Sequence, residues 1–110
     1  MIEATILMNV VPAKREELRQ TLSSMTEDIL REEGCTSCKI YQDVNNENIF
    51  RLIEEWETQE NLDNHIKTEI FSALMGTKSY LVAHPEITIK EASSIAETED
   101  VKKARDGSRA

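Results

Sequence analysis

The chain has no concentration of positive charge. Its 110 residues carry 13 Lys and Arg against 21 Asp and Glu, a net charge of -8. Phosphate binding needs clustered basic side chains, so nucleic acid and anionic membrane surfaces are not expected partners. No apolar run reaches the length that spans a bilayer. The opening Met1-Ile2-Glu3 brings in an acid at once, with no basic stretch ahead of an apolar one, so no signal peptide is read and a cytosolic location is expected. The two cysteines, Cys35 and Cys38, are then expected to stay reduced. There are no internal repeats. A polar stretch follows Ala92, and from Ser94 to Ala110 four acids balance four bases, so the excess negative charge belongs to residues 1–93.

Hydrophobic residues are also scarce, at 39%. That supports one domain with a thin core, which a second subunit would help to cover. The domain is read over residues 1–92 and a polar tail over 93–110. The tail either adds a short helix over Glu97 to Arg105 or stays loose.

What is present falls into a clear order. Ile2 to Val11 alternates with period two, so a strand is expected, central and covered on both faces. Pro12 suits the first turn of a helix. From Ala13 to Glu33 the residues Leu18, Leu22, Met25, Ile29 and Leu30 share one helical face, and Gly34 is the expected stop. Cys38 to Val44 and Asn48 to Trp56 are expected to pair as a hairpin across Asn45-Asn46. In the second of these, Phe50, Leu52, Glu54 and Trp56 face one way and Ile49, Arg51, Ile53 and Glu55 the other. Thr58 and Thr68 are candidate caps for two short helices, the second with an apolar stripe running to Val82 and ending before Pro85. Glu86 to Ala92 supplies the last strand, with Ile87 and Ile89 on one side.

Strand, helix, strand, strand, divided helix and strand make an α+β chain of the ferredoxin-like, split β-α-β kind: a four-stranded antiparallel sheet with helices on one face. The uncovered face is expected to carry large apolar groups, Phe50, Leu52 and Trp56 among them, and so to pair with a second copy as a homodimer.

Three segments resemble the antibiotic biosynthesis monooxygenase (ABM) family: Glu32-Glu33-Gly34-Cys35 at the helix exit, Leu52-Ile53-Glu54-Glu55-Trp56 at a strand end, and His65 to Phe71, which begins nine residues past the tryptophan. The resemblance covers residues 1–92, and the helix-and-strand pattern is most similar to the quinol-monooxygenase-like branch. It implies a dimeric α+β barrel with a small, mostly apolar pocket and cofactor-independent oxygenation of a small apolar, aromatic or quinol-like molecule. The polyketide-oxidising branch places Asn four residues before the Trp and Tyr six after it. Here those positions hold Leu52 and Leu62. The haem-degrading branch uses an Asn, Trp and His set. The corresponding later positions here are His65 and Met75, the first strand offers no matching Asn, and haem degradation is not expected.

Within that resemblance His65 and Trp56 are the catalytic candidates, and Glu54, Leu52, Tyr41, Phe71 and Met75 the candidate substrate-binding residues. Each has a plain structural alternative. Trp56 and the stripe of Phe71 and Met75 suit a core, and His65 suits a helix surface with a bond to a backbone carbonyl. Glu54 is an acid or base if buried, or otherwise a partly solvated carboxylate paired with arginine. Cys35 and Cys38 form a C-x-x-C, but a second ligand pair is missing and the motif follows a helix rather than opening one, so neither metal nor redox chemistry is expected. Two other readings of the same scaffold are an isomerase or proton-transfer enzyme using His65 or Glu54, and a non-catalytic dimer that binds an apolar ligand or serves as a stress-associated accessory protein.

Overall fold

The computed structural model describes residues 1–91 and 101–106. Strand β1 (Ile2–Asn9) leads through a 3-10 turn at Pro12–Lys14 into helix α1 (Arg15–Leu30). Strands β2 (Cys35–Gln42) and β3 (Ile49–Trp56) follow, then helices α2 (Gln59–Ile66) and α3 (Glu69–Gly76), a 3-10 turn at Thr77–Tyr80, and strand β4 (Glu86–Glu91). The sheet order is β2-β3-β1-β4, with every neighbouring pair antiparallel. This is the ferredoxin-like α+β arrangement, with the helices on one face. Residues 101–106 are helical, overlapping the expected tail helix of Glu97 to Arg105 and running one residue past it; positions 97–100 of that span lie outside the described residues.

Alternation along β1 and β3 builds the core. Ile2, Ala4, Ile6 and Met8 stand opposite Trp56, Glu54, Leu52 and Phe50, and all eight are buried under the helices. Leu18, Leu22 and Ile29 of α1 press onto them from above. The expectation that Phe50, Leu52 and Trp56 occupy the bare face is therefore overturned. They are at most 1% exposed within one protomer, because the helices settle on the more continuously apolar set. The bare face instead carries the other set, Glu3, Thr5 and Leu7 beside Ile49, Arg51, Ile53 and Glu55, all half-buried.

Several boundaries move, each for a local reason. Helix α1 stops at Leu30, which is itself exposed, and a turn over residues 31–34 ends on Gly34 at φ +82°. Glycine is needed there: the backbone is left-handed, and a Cβ would overlap the side chain of Asn61 on α2. The chain enters β2 directly from that turn, three residues earlier than its polar Cys-Thr-Ser-Cys opening suggests, and an irregularity between Cys35 and Ser37 absorbs the change of register. Helix α3 ends at Gly76, so Leu81 and Val82 fall outside it. In β4, Ile87 and Ile89 oppose Ile6 and Ala4 and so share the helix-side face, yet they are 45% and 46% exposed. As an edge strand, β4 reaches past the helical layer. The two threonine caps form as expected: Thr58 Oγ1 accepts from Asn61 N and Thr68 Oγ1 from Phe71 N, each at 3.1 Å.

Candidate functional site: a buried acid–imidazole–acid line beside Trp56

Strand β3 delivers Glu54 and Trp56 to the inner face two residues apart, and the Trp56 Nε1–H donates to Glu54 Oε1 at 3.0 Å. Helix α2 lies against β3. Its amphipathic turn buries Leu62 and, one turn later, His65. The corner between α2 and α3 is fixed by Thr68, whose hydroxyl donates to His65 O at 2.7 Å. That corner brings the imidazole to 4.6 Å from the Trp56 ring, tilted by 30°, with Phe71 of α3 edge-on at 5.5 Å.

The imidazole lies between two carboxylates. Nδ1 meets Glu32, at 2.9 Å from Oε1 and 3.1 Å from Oε2. Nε2 comes within 3.3 Å of Glu54 Oε1 without the alignment of a hydrogen bond. Glu54 and His65 are each 1% exposed. Burial alone pushes the imidazole pKa down, and the Glu54 and Glu32 carboxylates together reverse this and hold it above its ordinary value. Neither the surface histidine nor the arginine-paired carboxylate is therefore what forms. Among the described residues, Glu54 Oε2 and His65 Nε2 are buried without a hydrogen-bond partner. Such atoms are costly to leave idle and call for an explanation.

Of the sequence candidates, the structure brings together Trp56, His65, Glu54 and Phe71. Leu52 sits one inward position before Glu54 on the same strand, and the half-buried Met75 packs against the same core. Tyr41 does not join them. It pairs with Arg51 across β2 and β3, whereas Ile40 pairs with Leu52, so Tyr41 points to the bare face and is 48% exposed. Glu32 stands in the Glu32-Glu33-Gly34-Cys35 motif, where the sequence marks no role for it. Its only local mark is its place two residues before Gly34; its contact with His65 spans 33 residues of sequence.

The two carboxylates approach different nitrogens of one ring, so the trio does not converge on a common point. Among the described residues no group of three His, Cys, Asp or Glu is arranged to hold a metal ion. Cys38 stands opposite Glu54 and Cys35 opposite Trp56. Burial, with the Glu54 carboxylate adding to it, pushes the thiols up to about 12 and about 11, the reverse of what a reactive cysteine needs. A cleft of about 420 Å³ bounded by Lys78, Leu81, Val82 and His84 shares Ala83 and His84 with a smaller one that reaches Leu7 and Ile49, toward the opposite end of β3. Neither touches the buried line.

The family model for antibiotic biosynthesis monooxygenases matches residues 1–77. A curated Bacillus subtilis (strain 168) protein named "Putative monooxygenase YcnE" is 27% identical over 85 residues, covering 77% of this chain and 90% of that one. The structure of a conserved protein from Methanosarcina mazei Go1 superposes with a TM-score of 0.78 at 30% identity, over 84% of this chain and 92% of that one. Rv0793 from Mycobacterium tuberculosis gives 0.78 at 19% identity, over 84% and 95%, a likeness of fold. The chain belongs to the antibiotic biosynthesis monooxygenase family. Among the described residues no helix is long and apolar enough to cross a membrane.

Proposed function

We propose that the protein is a cytosolic, cofactor-independent monooxygenase acting on a small hydroxyaromatic, quinol-like molecule, with Glu54, His65 and Trp56 as its chemical centre. The observation that carries this reading is the unpartnered Glu54 Oε2, buried beside an imidazole and an indole. The membership of the family and the name of the curated relative support the reaction class. The substrate would enter past Phe71 and Met75, two of the half-buried side chains of α3, with Leu52 as part of the apolar floor.

The reaction balances as quinol plus O2 giving hydroxyquinone plus water, and the quinol supplies all four electrons. Glu54 Oε2 takes the hydroxyl proton. The resulting anion passes electrons to O2, a ring C–O bond forms, and a proton returns to the peroxide. Loss of the ring C–H proton then expels hydroxide as the O–O bond breaks, and the hydroxide leaves as water. The protein contributes a dry site, orientation and a placed acid–base pair. His65 serves this scheme as the partner of Glu54 rather than as a free base, since both of its ring nitrogens already face carboxylates.

The half-buried apolar groups of the bare face, Leu7, Ile49 and Ile53, suit a homodimer formed sheet to sheet. Sedimentation tests that part: a stable monomer at micromolar concentration would count against it. A second reading, a proton-transfer isomerase, is favoured by the same acid–imidazole pair, which needs no oxygen to act. An oxygen electrode separates the two. With 1,4-naphthalenediol above its background oxidation, one O2 consumed per hydroxyquinone formed supports the oxygenase, and no enzyme-dependent uptake with that or related quinols removes it.

A further inference from the structure

A buried carboxylate that gives and takes protons has to exchange them with solvent somewhere. Glu54 is sealed on its own side: its side chain is 2% exposed and that of His65 is fully covered. Glu32 is 17% exposed, and it is the group that meets the far nitrogen of the ring. The line runs inward from the surface as Glu32 carboxylate, Nδ1 at 2.9 Å, imidazole, then Nε2 at 3.3 Å from Glu54. Both ends are held by the fold. Gly34 O accepts from Glu57 N at 2.8 Å, and Cys35 N donates to Glu32 O at 3.2 Å, which ties the turn carrying Glu32 to the end of β3. Thr68 fixes the backbone of His65.

We propose that Glu32 is the solvent end of a proton path whose buried end is Glu54, with His65 as the carrier between them. The inference rests on the reading of Glu54 as the group facing the substrate. A proton taken up on Glu54 Oε2 comes to face Nε2 when the carboxyl turns about its Cγ–Cδ bond and closes the 3.3 Å gap. It passes to Nε2 of the imidazole, Nδ1 gives its own proton to Glu32, and Glu32 gives it to water. A proton returning by the same route restores both the starting tautomer and Glu54. One proton moves at a time, no electron moves, and the outward and inward passages match the two halves of the oxygenation scheme. The titratable groups that face the path are Glu32 at the α1 exit, Glu54 on β3, and Cys38 and Cys35 on β2. The two thiols stay protonated and neutral across the working range. From α3 the path meets Phe71, which does not titrate.

The test is Glu32→Gln, which keeps a hydrogen-bond acceptor for Nδ1–H but cannot carry the proton. Two quantities are read on the same preparations: exchange of the His65 imidazole protons with water by 15N-edited NMR, and oxygen uptake with 1,4-naphthalenediol. E32Q should slow the exchange at least about tenfold and lower turnover about a hundredfold, within the range of acid–base contributions. E32D, which keeps the carboxyl, should recover most of the exchange, and E33Q at the exposed neighbour should change neither quantity. Wild-type exchange in E32Q, slowed turnover with unchanged exchange, or equal losses in E32Q and E32D would each overturn the path. If the wild type oxidises no quinol while E32Q still slows exchange, the path stands and the oxygenase reading falls. If quinol is oxidised and E32Q alters nothing, the reverse holds.

Discussion

Glu54 and Glu55 are neighbours on β3 and occupy opposite environments. Glu54 points inward, is 1% exposed, accepts from the Trp56 indole and lies 3.3 Å from the His65 imidazole. Glu55 points to the bare face and is half-buried. The surrounding strand treats them alike, since period two simply sends alternate residues to alternate sides. Packing should exclude a carboxylate from the inner face, where its neighbours are Ala4 and Cys38 across the sheet and Leu52 and Trp56 along the strand. A group kept where packing disfavours it, with one oxygen unpartnered, is better explained by chemistry than by stability.

The sharpest way to break this comparison is to remove each acid in turn. Glu54→Ala should destabilise the fold by about 3 kcal/mol or more, because it strips one partner from a buried charged pair. Glu55→Ala should stay within about 0.5 kcal/mol of wild type, as surface substitutions away from the core and from buried charge pairs do. Urea denaturation of both variants decides; similar losses would mean the two faces do not differ as described. Gly34→Ala comes next, with a loss of about 1–3 kcal/mol from its left-handed backbone alone and more if Asn61 cannot yield. Because the turn carries Glu32, this variant should also disturb the His65 resonances, whereas Gly76→Ala, with open space at its Cβ, should not. Thr58→Ala should cost about 1 kcal/mol by removing the cap of α2, the helix that carries His65, readable as a drop in melting temperature.

The smallest effect is the dependence on pH. His65 titrates above its ordinary value, so its charged contacts stabilise the fold fully below pH 6.5, and that contribution fades as pH rises through the folded midpoint. An NMR titration should place the midpoint above 6.5 in the wild type and lower in Glu54→Gln. A wild-type midpoint below 6.5 would mean that burial outweighs the two carboxylates.

Much of the fold is legible in the residues. The alternation of Ile2, Ala4, Ile6 and Met8, the stripe of Leu18, Leu22 and Ile29, and the capping threonines are local signals, and each forms as its spacing implies. Alternation sorts residues into two faces but does not say which face the helices will cover, so the sequence alone leaves Phe50, Leu52 and Trp56 free to lie on either side, and it is packing that turns them inward. The nine-residue step from Trp56 to His65 runs through a strand end, a cap and a short helix, all of them local, and the structure sets the two rings side by side. Glu32 could not be found in that way. It reaches His65 only because Gly34 permits a turn into which α2 packs, a contact that depends on tertiary structure. Tyr41 illustrates the opposite case, an aromatic residue of suitable type whose strand parity points it away from the site.

The claim that the buried line is chemical and not merely structural is tested most directly by His65→Gln, with melting temperature and quinol-dependent oxygen uptake measured on the same preparation. Glutamine retains a polar group between the two carboxylates but cannot carry a proton. The account predicts that turnover per folded molecule falls about a hundred- to ten-thousand-fold while the protein remains folded at the assay temperature. A lowered melting temperature with turnover per folded molecule unchanged would contradict it and leave His65 as a core residue.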